Sequence, residues 1–98
     1  MVKIHVTHIL EATVGGTRRH LLDLIERMDR RRFHISVICS TLREPRFHDD
    51  IQWMRSLGVD VYIVPMQRHI SPCNDIRALC QIHSVLKAIN PHIAHAHS

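Results

Sequence analysis

Apolar residues fall into two alternating rhythms along the chain. Runs rich in Ile and Val occupy Lys3 to Leu10, Phe33 to Cys39, Val59 to Val64 and His92 to Ala96. Short apolar runs bounded by polar or turn residues read as buried strands. Between them the apolar positions space out by three and four. Leu21, Leu24, Ile25 and Met28 share one helical face, as do Phe47, Ile51, Met54 and Leu57. Ile76, Leu79, Ile82, Leu86 and Ile89 form a third stripe, expected to point inward. The expected order is β-α-β-α-β-α-β.

Local punctuation agrees with this order. Gly15-Gly16 ends the first loop, and Thr17 is expected to cap a helix running to about Met28. Ser40 to Arg46, with Pro45, is a polar connection. Gly58 stands where a helix closes with a left-handed residue. Pro65 ends the third strand, and Met66 to Pro72, with Arg68 and His69, is a loop. Asn90-Pro91 stops a helix expected from Asn74 to Ala88, because proline cannot extend it. Alternating strands and helices predict an α/β fold: a Rossmann-like parallel sheet flanked by helices, in strand order 3-2-1-4. In that order the crevice between strands 1 and 4 brings Gly15 and Gly16 beside His97 and Ser98.

Composition narrows the function classes. An apolar share of 45% with 22% charged residues is that of an ordinary soluble domain. The aromatics are Phe33, Phe47, Trp53 and Tyr62 alone, so an aliphatic core is expected and a base-stacking platform has little support. Nucleic acid is not an expected partner. The net charge of +4 includes the run Arg30-Arg31-Arg32 at a helix end, where cations complement the helix dipole. Peripheral contact with an anionic membrane surface, or with a phosphorylated partner, is the alternative use of that run. Asp49-Asp50 reads as favourable charge at a helix N-terminus. Cys39, Cys73 and Cys80 have no metal-type spacing and make no disulfide framework. Cys39 and Cys80 read as small buried hydrophobes, and a reducing, cytoplasmic setting is expected. No signal-peptide pattern or run of roughly 20 apolar residues is present.

Several chemistries are excluded by their absent motifs. Gly15-Gly16 is not the dinucleotide fingerprint, no G-x-x-x-x-G-K-[ST] loop exists, and no G-x-S-x-G elbow exists. What remains lies at the predicted crevice. Gly15, Gly16 and Thr17 at a helix N-terminus can bring backbone N–H groups to a phosphate. Arg18, Arg19, His20 and Ser98 are candidate substrate contacts. His95 and His97 share a strand face. His95 is assigned to core packing and His97 to hydrogen bonding or acid–base work at the crevice mouth. A zinc site needs a third ligand, and His5 and His8 qualify by number only, so no metal is expected.

The segment His8-Ile9-Leu10 through Gly15-Gly16-Thr17-Arg18-Arg19-His20-Leu21-Leu22-Asp23-Leu24 resembles the opening of family 4 glycosyltransferases of the GT-B fold. Asn90-Pro91-His92-Ile93-Ala94-His95-Ala96-His97-Ser98 resembles their P-D-I-V-H-A-H-S strand, with His92 in place of the usual Asp. The resemblance spans residues 1–98 and implies the first part of a GT-B N-terminal domain. It implies retaining transfer of a sugar from a nucleotide-sugar donor to a glycan, lipid-linked or small-molecule acceptor, with no cofactor. Gly16 would approach the donor diphosphate, and His97 matches the histidine that contacts the donor sugar. A C-terminal donor domain with a Glu-x7-Glu motif would lie beyond Ser98, so the isolated chain is not expected to turn over. The alternatives are a non-catalytic Rossmann-like module that pairs with a separate chain, and part of a GT-B sugar-nucleotide epimerase.

Overall fold

The computed structural model describes residues 3–11, 15–41, 46–66 and 72–97. Its elements are β1 (Ile4–Leu10), α1 (Gly15–Arg27), β2 (Phe33–Cys39), α2 (Phe47–Ser56), β3 (Asp60–Ile63), α3 (Pro72–Ile89) and β4 (Ile93–His97). The strands pair in parallel in the order β3-β2-β1-β4, as the sequence predicts. The expected loop residues Pro45, Arg68 and His69 lie outside the described residues.

Side chains alternate across a strand, so the register fixes each face. Val6, His8 and Leu10 align with Ile35, Val37 and Cys39 of β2 and with Ile93, His95 and His97 of β4. Helices α1 and α2 cover this face. Leu21, Ile25, Phe47, Ile51 and Met54 join Leu10, Ile35, Val37, Cys39, Val59 and Val61 in one core. The opposite face meets α3, where Ile38, Val64 and Ala78 are buried and Ile9, Tyr62, Ile82, Val85 and Leu86 pack around them. That face also holds a polar relay. Ser36 Oγ lies 2.7 Å from Thr7 Oγ1 and 2.9 Å from His5 Nε2, so two fully buried hydroxyls are satisfied.

Three expectations are corrected here. Ile76 and Leu79 are 63% and 66% exposed, so the stripe on the sheet is Ala78, Ile82, Val85 and Leu86. Helix α3 is apolar on two sides, and the side carrying the small Ala78 meets the strands. Cys80 is exposed and only Cys39 is buried, its thiol pushed up to about 12 by burial and therefore inert as a nucleophile. Thr17 is the third residue of α1 and not its cap, because the helix already includes Gly15 and Gly16.

Helix ends are closed by backbone geometry and charge. At the C-terminus of α2 the Gly58 N–H donates to the Arg55 carbonyl and the Val59 N–H to the Met54 carbonyl. Gly58 has φ +87°, and Val59 and Met54 share the core, which completes a Schellman motif. Asn90 closes α3 with φ 46°, its N–H donating to the Leu86 carbonyl. Arg30 donates to the Ile25 carbonyl at 3.1 Å, which uses part of the basic run to close α1. Gly58→Ala should lower stability by about 1 kcal/mol, the cost of a Cβ in left-handed backbone. The loss is purely conformational, since nothing lies within 4 Å of a Cβ built there. Thermal melts of Gly58→Ala and Gly58→Asn check this, with Asn expected to lose less.

Candidate functional site

Parallel pairing of β1 with β4 sets His8 opposite His95 and Leu10 opposite His97. Three imidazoles therefore share one sheet face at the carboxyl ends of adjacent strands. Helix α1 starts beside them. A cavity of about 370 Å³ opens there, lined by Gly16, Thr17 and His20 of α1 and by His95, Ala96 and His97 of β4. The sequence places Gly16 and His97 together at this crevice, and the structure does so too.

The rings form a continuous contact. His95 and His97 stack at 4.3 Å between centroids, His8 lies 5.1 Å from His97, and His20 meets His97 edge-on at 5.9 Å. His8 Nδ1 and His97 Nε2 are 3.0 Å apart and share one hydrogen bond. His8 is 4% exposed, and its Nε2 is buried without a partner. Burial, followed by the neighbouring His97, His95 and His20 rings, pushes the His8 imidazole down to about 4. His97 is held below its ordinary value by burial first, then by His95 and His20. Both rings are thus kept neutral near pH 7, each with one lone pair to offer.

The other candidates take definite places. Gly16 is exposed, outside the left-handed region, with nothing within 4 Å of where its Cβ would stand. Neither backbone strain nor protein packing demands a glycine there, which leaves open the close approach of a ligand. Arg18, a candidate substrate contact from the sequence, is engaged by the protein itself. Its Nε and Nη2 donate to the two Asp50 carboxylate oxygens at 2.6 and 2.9 Å. Asp50 of α2 thus offsets a cation in the unfavourable first turn of α1. Arg19 is exposed on α1. Ser98 lies outside the described residues.

His95 is not a packing residue. It is exposed and lines the cavity, because β4 is covered only in part, and the buried histidine of the group is His8. No metal ligand set is expected from the sequence, because no metal-ligand spacing is evident across the elements. Across β1 and β4 one donor atom from each of His8, His95 and His97 lies within 4.8 Å of the others. Part of the signal is legible in sequence, since His95 and His97 alternate on one strand and His8 lies on another, but the register that sets His8 opposite His95 is not.

A family model described as a glycosyl transferase 4-like domain matches residues 15–98. The chain belongs to this family. The match runs from the first residue of α1 through β4, so the glycosyl transferase 4-like domain contains every residue lining the crevice cavity. No curated protein matches the chain. Among the described residues of the domain, no helix is long and apolar enough to cross a membrane.

The His8 environment gives the domain an acid-sensitive stability. An unfolded chain protonates this histidine near 6.5, whereas the folded chain resists until about 4. Between those limits the unfolded state holds more protons, so stability falls as pH falls. Above 6.5 both states are neutral at this position, which then adds no pH dependence. His97 and His5, also lowered, act in the same direction. Denaturant melts with chelator present should show a steep loss below 6.5 that His8→Leu flattens.

Proposed function

We propose that this glycosyl transferase 4-like domain forms one wall of a site that transfers a sugar from a nucleotide-sugar donor to an acceptor hydroxyl, with the anomeric configuration retained. The observation that carries the reading is the cavity between β1 and β4. It joins the exposed Gly16 and the α1 N-terminus to His97. The first-turn N–H groups of α1 have no intrahelical acceptors, and Gly16 and Thr17 of that turn line the cavity. A diphosphate seated there meets the positive end of the helix. Gly16 leaves room for its oxygens, and the negative charge that develops as the sugar departs is met by fixed dipoles.

His97 then contacts the sugar. Its neutral ring, oriented by the His8 hydrogen bond and the His95 stack, offers a polar atom at the cavity wall. His20, Arg19 and Ser98 complete the candidate contacts, while Arg18 supports α1 through Asp50. The C1–O bond to the diphosphate breaks, a C1–O bond to the acceptor forms, and the acceptor hydroxyl's proton passes to the departing diphosphate. A second, donor-binding domain closes the site against water. The acceptor is a glycan, a lipid-linked sugar or a small molecule, and a cytoplasmic setting suits a nucleotide-sugar supply.

The test uses this domain joined to its donor-binding domain. His97→Ala should lower kcat by roughly 10²-fold or more, the scale of losing one positioned polar group. Donor affinity should change much less. NMR of the product reports the anomeric configuration. A near-normal kcat for His97→Ala, or an inverted product, overturns the corresponding part of the reading.

A further inference from the structure

A histidine buried among apolar neighbours calls for a reason. His8 sits on β1 between Val6 and Leu10, both buried and apolar, where a valine or leucine would pack with no polar cost. Its Nδ1 faces the ring of His97, and that is the nitrogen available to an ion. Two further imidazoles are brought against it by the strand register and not by chance surface proximity.

We infer that His8, His95 and His97 form a binding site for an imidazole-seeking divalent ion of the Zn²⁺ class, with its open coordination position facing the cavity. One donor atom from each ring lies within 4.8 Å of the other two. His8 Nδ1 and His97 Nε2, at 3.0 Å, are already near the ~3.3 Å that separates two nitrogens on one tetrahedral zinc. The ion would take the place of the proton these nitrogens now share. His95, exposed and stacked on His97, needs only a side-chain rotation to close the triangle. All three donors are imidazoles, which select Zn²⁺, Cu²⁺, Ni²⁺ or Co²⁺ over the oxygen-seeking Mg²⁺ and Ca²⁺. Three protein ligands leave a fourth position, and the cavity lined by Gly16, Thr17 and His20 lies beside it.

The site is independent of the transfer reading. Where both hold, a bound ion withdraws His97 from a donor sugar, so Zn²⁺ would inhibit. The binding measurement needs no activity, and its failure leaves the transfer reading untouched.

The experiment titrates the full chain with Zn²⁺ against a chromophoric chelator and records the visible spectrum with Co²⁺. Exposed Cys73 and Cys80 are replaced by serine to remove competing thiolates. One ion per chain is expected, with four-coordinate Co²⁺ bands. His95→Ala and His97→Ala should each weaken binding by more than about 100-fold, beyond the roughly 10–100-fold losses that outer ligand partners produce. His95 is exposed, so its variant tests the site without disturbing the core. His5→Ala, which alters the separate His5–His34 stack on the other sheet face, should leave affinity unchanged. Unchanged affinity in His95→Ala and His97→Ala, loss of binding in the serine background, or loss in His5→Ala would each overturn the proposal.

Discussion

Parallel pairing between β1 and β4 is the constraint on which the rest of the molecule depends. A slip of one residue would turn His8, or His95 and His97, to the opposite face of the sheet. The observed register, Val6 opposite Ile93 through Leu10 opposite His97, keeps all three rings on the α1 side. It also ends β4 level with the start of α1, so a helix N-terminus and a histidine-bearing strand meet. The family to which the chain belongs is thus represented by a crevice whose two sides come from opposite ends of the sequence.

The two faces of the sheet are not equally secured. Under α1 and α2 the core is continuous and aliphatic, and its largest side chains are fully buried. Under α3 the apolar contact is narrower, and β4 contributes exposed residues at most positions. Burial contributes about 25 cal/mol per Å² of apolar surface. The β3-β2-β1 block with its two helices is therefore the stable floor. The crevice lies where that floor gives way to a thinner edge, so its histidines are partly open to solvent while His8 beneath them is not.

Much of this was readable in the residues. Alternating periodicities give the elements, and the doubly wound pattern gives the strand order. Gly58 announced its own left-handed turn. What could not be read was register and facing. Periodicity groups Ile76 and Leu79 with Ile82 but does not say which flank of an apolar helix finds the sheet. It shows His95 and His97 on one face but cannot bring His8 opposite them. A histidine on an apolar strand reads as a core histidine, whereas β4 stands at the sheet edge and leaves His95 exposed. The expected partner of Arg18 was a ligand, and a carboxylate from the next helix holds it instead.

The Arg18–Asp50 fork makes the α1 N-terminus and α2 a mechanical unit. Both guanidinium bonds reach from the turn that carries Gly16 and Thr17 to the first turn of the next helix. Any displacement that lifts α2 must either drag that turn along or release a guanidinium next to the crevice. The clasp is thus a latent charge reservoir: closed, it is neutral and stiffens the cavity floor, and opened, it would leave a second cation beside the exposed Arg19.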